Sequence, residues 1–65
     1  MPSGEEDGQE YELFEKRENG SAIRRGRVIG MRAAIAEAEK LAGECGNEIF
    51  VLDANTRAII RRIGG

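Results

Sequence analysis

The chain has 65 residues, a formal net charge of −2, no histidine and a single cysteine. So short a chain holds one domain and buries only about 60% of the surface its unfolded state exposes. Its stability must come from tight packing or a second copy, because neither an intrachain disulfide nor a Cys/His metal site can form. Without histidine the usual general base near neutral pH is missing, and no stretch approaches the roughly 18 apolar residues of a membrane span.

Met1–Gln9 is polar and acidic, with neither the basic start nor the apolar run of a signal peptide. Its composition is that of a disordered acidic tail, so the single ordered domain is expected over residues 10–65. The lone Cys45 thiol fits a reducing, cytoplasmic setting.

Tyr11–Arg17 alternates and is rich in aromatic residues, which predicts a strand. Asn19-Gly20 lies between two such runs and predicts a two-residue type I′ hairpin, since both residues tolerate positive φ. The second strand is expected over Ala22–Ile29. Gly30 ends it, and Met31–Ala42 is composed of strong helix formers with Met31, Ala34, Ile35, Ala38, Leu41 and Ala42 on one face. Gly43 or Gly46 supplies the left-handed residue that stops the helix. Glu48–Leu52 is a nearly continuous apolar run, as for a central strand. Asp53–Thr56 carries turn residues, and Arg57–Ile63 forms the last strand. The fold class is therefore α+β, in the order ββαββ, two hairpins joined by one amphipathic helix.

One helix covers one face of a four-stranded sheet. The other face should be polar in a monomer, yet Phe14, Phe50 and Leu52 alternate against other apolar residues, so large side chains remain wherever the helix lies. An exposed apolar patch on so small a protein marks an interaction surface, and burying each such side chain contributes roughly 1.5–3 kcal/mol. Phe14, Phe50 and Leu52 are the expected interface of a homodimer or of a complex with a protein partner, formed through the sheet face or an edge.

Catalysis is not expected. Ser3 lies in the tail, Ser21 and Thr56 fit turns, and the negative pole of the helix end disfavours a thiolate at Cys45. Gly26–Arg32 puts glycines before a helix, but it lacks the Gly-Lys-Ser/Thr ending of a phosphate loop and the third glycine of a dinucleotide fingerprint, so a plain strand exit is the better reading. No cofactor or metal is expected. Arg24, Arg25 and Arg27 crowd the second strand, and Arg57, Arg61 and Arg62 flank or lie in the fourth. If those strands are close, their guanidiniums form a basic stripe suited to phosphates. An isoelectric point of about 5.1 and the few aromatics, Tyr11, Phe14 and Phe50, weigh against nucleic acid. Pairing of the arginines with Glu12, Glu15 and Glu48 across strands accounts for them equally well.

From Tyr11 to Gly64 the pattern is similar to small uncharacterised bacterial and phage ββαββ domains. The matching features are the Ala34–Ala42 helix and the Ile-Phe-Val-Leu-Asp…Thr-Arg-Ala-Ile-Ile hairpin after it. That resemblance implies a fold without implying a chemistry. The ending Ile63-Gly64-Gly65 resembles the tail of ubiquitin-like modifiers, although the tight hairpin after the third strand departs from their β-grasp fold. The sequence reading is thus a non-catalytic, homodimeric interaction module for a protein partner, with nucleic-acid binding by the arginines as the alternative and no membrane role.

The charges are unevenly spread. Residues 1–18 carry seven acids against Lys16 and Arg17, whereas residues 19–65 carry eight bases against five acids. The segment Glu5-Glu6-Asp7 is therefore placed to screen the arginines. Removing residues 1–9 is expected to strengthen binding to a polyanion at low salt in a titration; unchanged affinity would remove the idea.

Overall fold

Antiparallel hydrogen bonding unites the two hairpins through their first strands. In the computed structural model, which describes residues 8–64, β1 (Glu10–Lys16) and β2 (Ala22–Ile29) form one hairpin. The helix α1 (Met31–Cys45) follows, and β3 (Ile49–Asp53) and β4 (Ile59–Ile63) form the other hairpin. β1 also pairs with β3, giving one four-stranded sheet in the order β2-β1-β3-β4. The ββαββ, α+β architecture read from the sequence is the one observed. Residues 1–7 of the expected acidic tail lie outside the described residues. Gln9 is tied down: its carbonyl accepts from the Gly30 N–H at 2.8 Å, and its side-chain amide donates to Asp53.

The period of two along β1 divides the molecule. Tyr11, Leu13 and Glu15 point toward α1, and Glu10, Glu12, Phe14 and Lys16 point away. Tyr11, Leu13, Ile49 and Val51 from the two central strands and Ala34 and Ala38 from α1 make the buried core. Val28, Met31, Leu41, Ala42, Cys45 and Ile63 pack around it, partly buried. Ala34 and Ala38 stand one turn apart on one helix face, so with only methyl groups between them the helix backbone lies close on Leu13, Ile49 and Val51. No large residue from α1 belongs to the fully buried set, and this is why the core stays thin.

Local chemistry shifts two boundaries from their expected places and decides a third between the two glycines expected for it. The first turn is not a two-residue type I′. Gly20 alone has positive φ (89°), its N–H bonds to the Arg17 carbonyl at 3.0 Å, and the Arg17 N–H bonds to the Ser21 carbonyl at 2.7 Å. This closes a three-residue loop with the left-handed residue last. Asn19 serves differently from expectation, its Oδ1 accepting from the Ser21 N–H at 3.0 Å and from the Ser21 hydroxyl at 2.7 Å. The helix runs through Gly43 to Cys45 and stops at Gly46 (φ 75°), whose N–H caps the Ala42 carbonyl at 2.9 Å. Cys45 is thus the last helical residue, and its sulfur accepts from the Asn47 N–H at 3.4 Å. The last strand begins at Ile59 and not at Arg57. Asp53 Oδ1 accepts from the N–H groups of Asn55 (2.7 Å) and Thr56 (3.3 Å), winding the chain into a turn that ends with Arg57 at φ 66°.

Gly64 closes the fold. Its φ is +80°, and a Cβ there would stand 2.5 Å from Ala42 Cβ. The residue that resembles a modifier tail is therefore packed on the helix, while Gly65 lies outside the described residues. Among the described residues no helix is long and apolar enough to cross a membrane.

These contacts separate two glycines that look alike in sequence. Gly64→Ala forces both a left-handed Ala and a clash, and should lower stability by about 2 kcal/mol in urea unfolding. Gly43→Ala, exposed inside the helix with open space around its Cβ position, should raise stability by about 0.5–1 kcal/mol.

Candidate functional site

The face of the sheet away from α1 is built by register. On β2, β1, β3 and β4 respectively, Arg24 pairs with Phe14, Phe14 with Phe50, and Phe50 with Arg62. The result is one transverse row, Arg-Phe-Phe-Arg, with the aromatic rings on the two central strands and a guanidinium at each edge. Three interstrand spacings make it about 14 Å across. Both phenylalanines are only partly buried, and the Arg62 guanidinium lies 5.9 Å from the Phe50 ring centroid, within cation–π range. The neighbouring row is Arg27, Glu12, Leu52 and Ile59, with Leu52 partly buried and Ile59 exposed. All three apolar residues singled out from the sequence, Phe14, Phe50 and Leu52, thus share this face.

The arginines do not form a single stripe. β2 and β4 are the two edges of the sheet, separated by β1 and β3. A bulge between Leu13 and Phe14 leaves Arg25 without a register partner on β1, and its side chain reaches Glu15, on the helix side. Arg61 pairs with the core residue Val51 and so lies on the helix side as well. The remaining four, Arg24, Arg27, Arg57 and Arg62, ring the open face. With Lys16 they give it five cations against the carboxylates of Glu10 and Glu12 and of Glu48, which the alternation along β3 puts beside Lys16 on the same side, although the whole chain has a net charge of −2. Of the three aromatics, Tyr11 is buried in the core and offers no surface.

Glu12 organises this ring. It is 7% exposed, and its Oε1 lies 3.5 Å from Arg57 Nη1 while Oε2 lies 3.7 Å from Arg24 Nη1. The carboxylate stands between guanidiniums that arrive from the two sides of the sheet, and its Oε1 accepts no hydrogen bond among the described residues. Arg57 reaches it from a left-handed backbone conformation that ordinarily costs a non-glycine residue about 1 kcal/mol. Arg27 makes a looser pair with Glu10 at 3.5 Å.

Glu15, two residues along β1, does a different job on the other face. Its Oε2 accepts from Asn47 Nδ2 at 2.5 Å, its Oε1 accepts from Arg25, and its side chain is 7% exposed. The carboxylate joins β1, the bulge of β2 and the loop after α1. A shallow cleft beside the first hairpin is lined by Glu15, Arg17, Glu18, Asn19, Ile23, Arg25 and Asn47, and of these Glu15, Arg25 and Asn47 are engaged with one another. The helix start offers no phosphate cradle through Gly30, whose N–H already bonds to Gln9.

What the sequence did not reveal was the opposition of Phe14 and Phe50 and the part played by Glu12. The alternation Glu12-Leu13-Phe14 puts Glu12 and Phe14 on one face and Leu13 on the other, but the partner strand of β1 could not be read locally. Compared with protein-family models, curated proteins and solved structures, the chain gives no significant match.

The Asn47 amide first, then the Arg25 guanidinium, holds the Glu15 carboxyl below its usual value of about 4.5. The folded state thus favours the charged form, so this stabilisation is present above about pH 4.5 and is lost as pH falls through the lower folded value. Thermal melts should show stability declining below about pH 4.5, and Glu15→Gln should flatten that decline while lowering stability at pH 7.

Proposed function

We propose that the protein is a non-catalytic binding module that works through the helix-free face of its sheet and takes an anionic partner. The row Arg24-Phe14-Phe50-Arg62 carries this reading: two partly buried aromatic rings at the centre of a face that no element among the described residues covers, bounded by guanidiniums. The ring of cations favours an anionic occupant over a second copy of the chain. Two copies meeting face to face would bring Arg24, Arg27, Arg57 and Arg62 of each against those of the other, and like charges at close range oppose association. The edges argue the same way. An antiparallel pair of β4 strands centred on Arg61 would set two arginines opposite each other, and β2 carries Arg24, Arg25 and Arg27; charged edges of this kind discourage edge-to-edge pairing. Chemistry is not needed for such a role, and the chain's lack of histidine accords with it.

Charge reversal tests the face against the rest of the surface. On a sulfated polysaccharide matrix at low salt the intact chain should be retained despite its isoelectric point of about 5.1. Arg24→Glu should abolish retention, whereas Arg61→Glu, the same change of charge on the helix side, should leave most of it. Equal losses from both would show a diffuse charge effect and remove the face from the reading.

A further inference from the structure

We infer that the occupant of this face is a single-stranded nucleic acid, two of whose bases stack on Phe14 and Phe50 while its phosphates follow the arginines. The inference rests on the binding-face reading above and names its ligand. Polyanions in general would satisfy guanidiniums alone, so the aromatic pair is what narrows the choice. Every base has a π-face and stacks on an aromatic ring without regard to sequence, and a positively charged surface with such rings is the usual platform for single strands. Phe14 and Phe50 oppose each other on adjacent strands, which sets their Cβ atoms about 5 Å apart. The pair sets two partly buried rings side by side near the middle of the sheet, with Arg24 at one end of the row and Arg62 at the other, its guanidinium over the Phe50 ring where an incoming base would take its place.

The charges are disposed for bases at the centre and phosphates at the rim. Glu12, the carboxylate nearest the middle of the face, repels a phosphate from that position. It also lies within 4 Å of guanidiniums of Arg24 and Arg57, so it holds both cations over the face. Arg57 adds an independent indication. Its turn position favours glycine or asparagine on backbone grounds, yet an arginine occupies it at φ 66° and directs its guanidinium to the open face. A duplex, with its bases already stacked inside, cannot use the phenylalanines in this way.

The test is fluorescence anisotropy of a labelled twelve-nucleotide oligo(dT), with oligo(U) and a duplex of the same length beside it, on the full chain. With about four phosphate contacts, affinity for the single strands should fall roughly 50-fold between 50 and 200 mM salt. Phe14→Ala and Phe50→Ala should each weaken binding about tenfold. Phe14→Tyr and Phe50→Tyr keep the ring and should retain it, so a folding defect cannot pass for a lost contact. Arg62→Ala should weaken binding and reduce the salt slope by about 0.7. Stronger binding of the duplex, or binding indifferent to Phe14 and Phe50, would overturn the stacking inference and leave a simple polyanion site. Binding of poly-glutamate but no oligonucleotide would overturn it in favour of an acidic protein partner. A two-chain mass by light scattering that Phe50→Ala returns to one chain would also overturn it and would identify a second copy as the occupant. Absence of all three would remove the binding-face reading together with the inference.

Discussion

The pairing of β1 with β3 is the constraint on which the rest of the molecule depends. It runs without a bulge from Tyr11 opposite Asp53 to Glu15 opposite Ile49, and it sets both faces at once. Leu13 against Val51 makes the floor on which Ala34 and Ala38 rest, and one residue further along Phe14 against Phe50 makes the centre of the open face. Because side chains alternate with a period of two, a one-residue slip of both central strands against the helix would exchange these sets. It would put Glu12 and Phe14 into a space shaped by two alanines. The thin core and the aromatic platform are consequences of one register.

Each outer strand departs from regular pairing once, and the two departures act alike. The bulge on β2 turns Arg25 under the sheet, where Glu15 and Asn47 receive it, and allows Arg24 to line up with Phe14. The irregularity on β4 leaves Ile60 without a register partner and restores Ile59 to the row of Leu52. Bulges bend and twist an edge as well as re-aim its side chains. Here they keep cations on the open face at both edges, and they interrupt the regular hydrogen-bonding edge that another chain would need for strand addition.

Much of the architecture was legible because it is encoded locally. The Asn-Gly turn, the alanine-rich amphipathic stretch and the apolar run from Ile49 to Leu52 each announce their element within a few residues. The departures were local as well: three-residue and two-residue loops differ in which residue takes positive φ, and the choice between Gly43 and Gly46 as the helix stop, left open by the sequence, falls to Gly46. The candidate site was less legible because it depends on strand order. Arg24 and Arg62 are 38 positions apart and meet in one row only because β1 and β3 lie between them; the sequence suggested a stripe that the order β2-β1-β3-β4 separates. Arg25 beside Arg24 could not be told from it without the bulge.

The two glutamates of β1 show why net charge misleads for this chain. Glu12 and Glu15 are both buried and both meet arginine, and by composition they are equivalent. Glu15 is saturated, with an amide and a guanidinium on its two oxygens, and its charge is neutralised within a structural joint. Glu12 faces the other way with longer contacts and a buried oxygen that accepts no hydrogen bond among the described residues. It compensates the guanidiniums enough to hold them near one another over apolar surface without cancelling the positive excess around it. Among the described residues, further acids lie along the exposed side of α1 at Glu39 and Glu44 and in the first turn at Glu18. At physiological ionic strength interactions between exposed charges are screened over roughly 8 Å. A ligand at the Phe14–Phe50 pair therefore meets the field of Arg24, Arg57 and Arg62 before that of the carboxylates on α1, and a chain that is acidic as a whole can present a basic face.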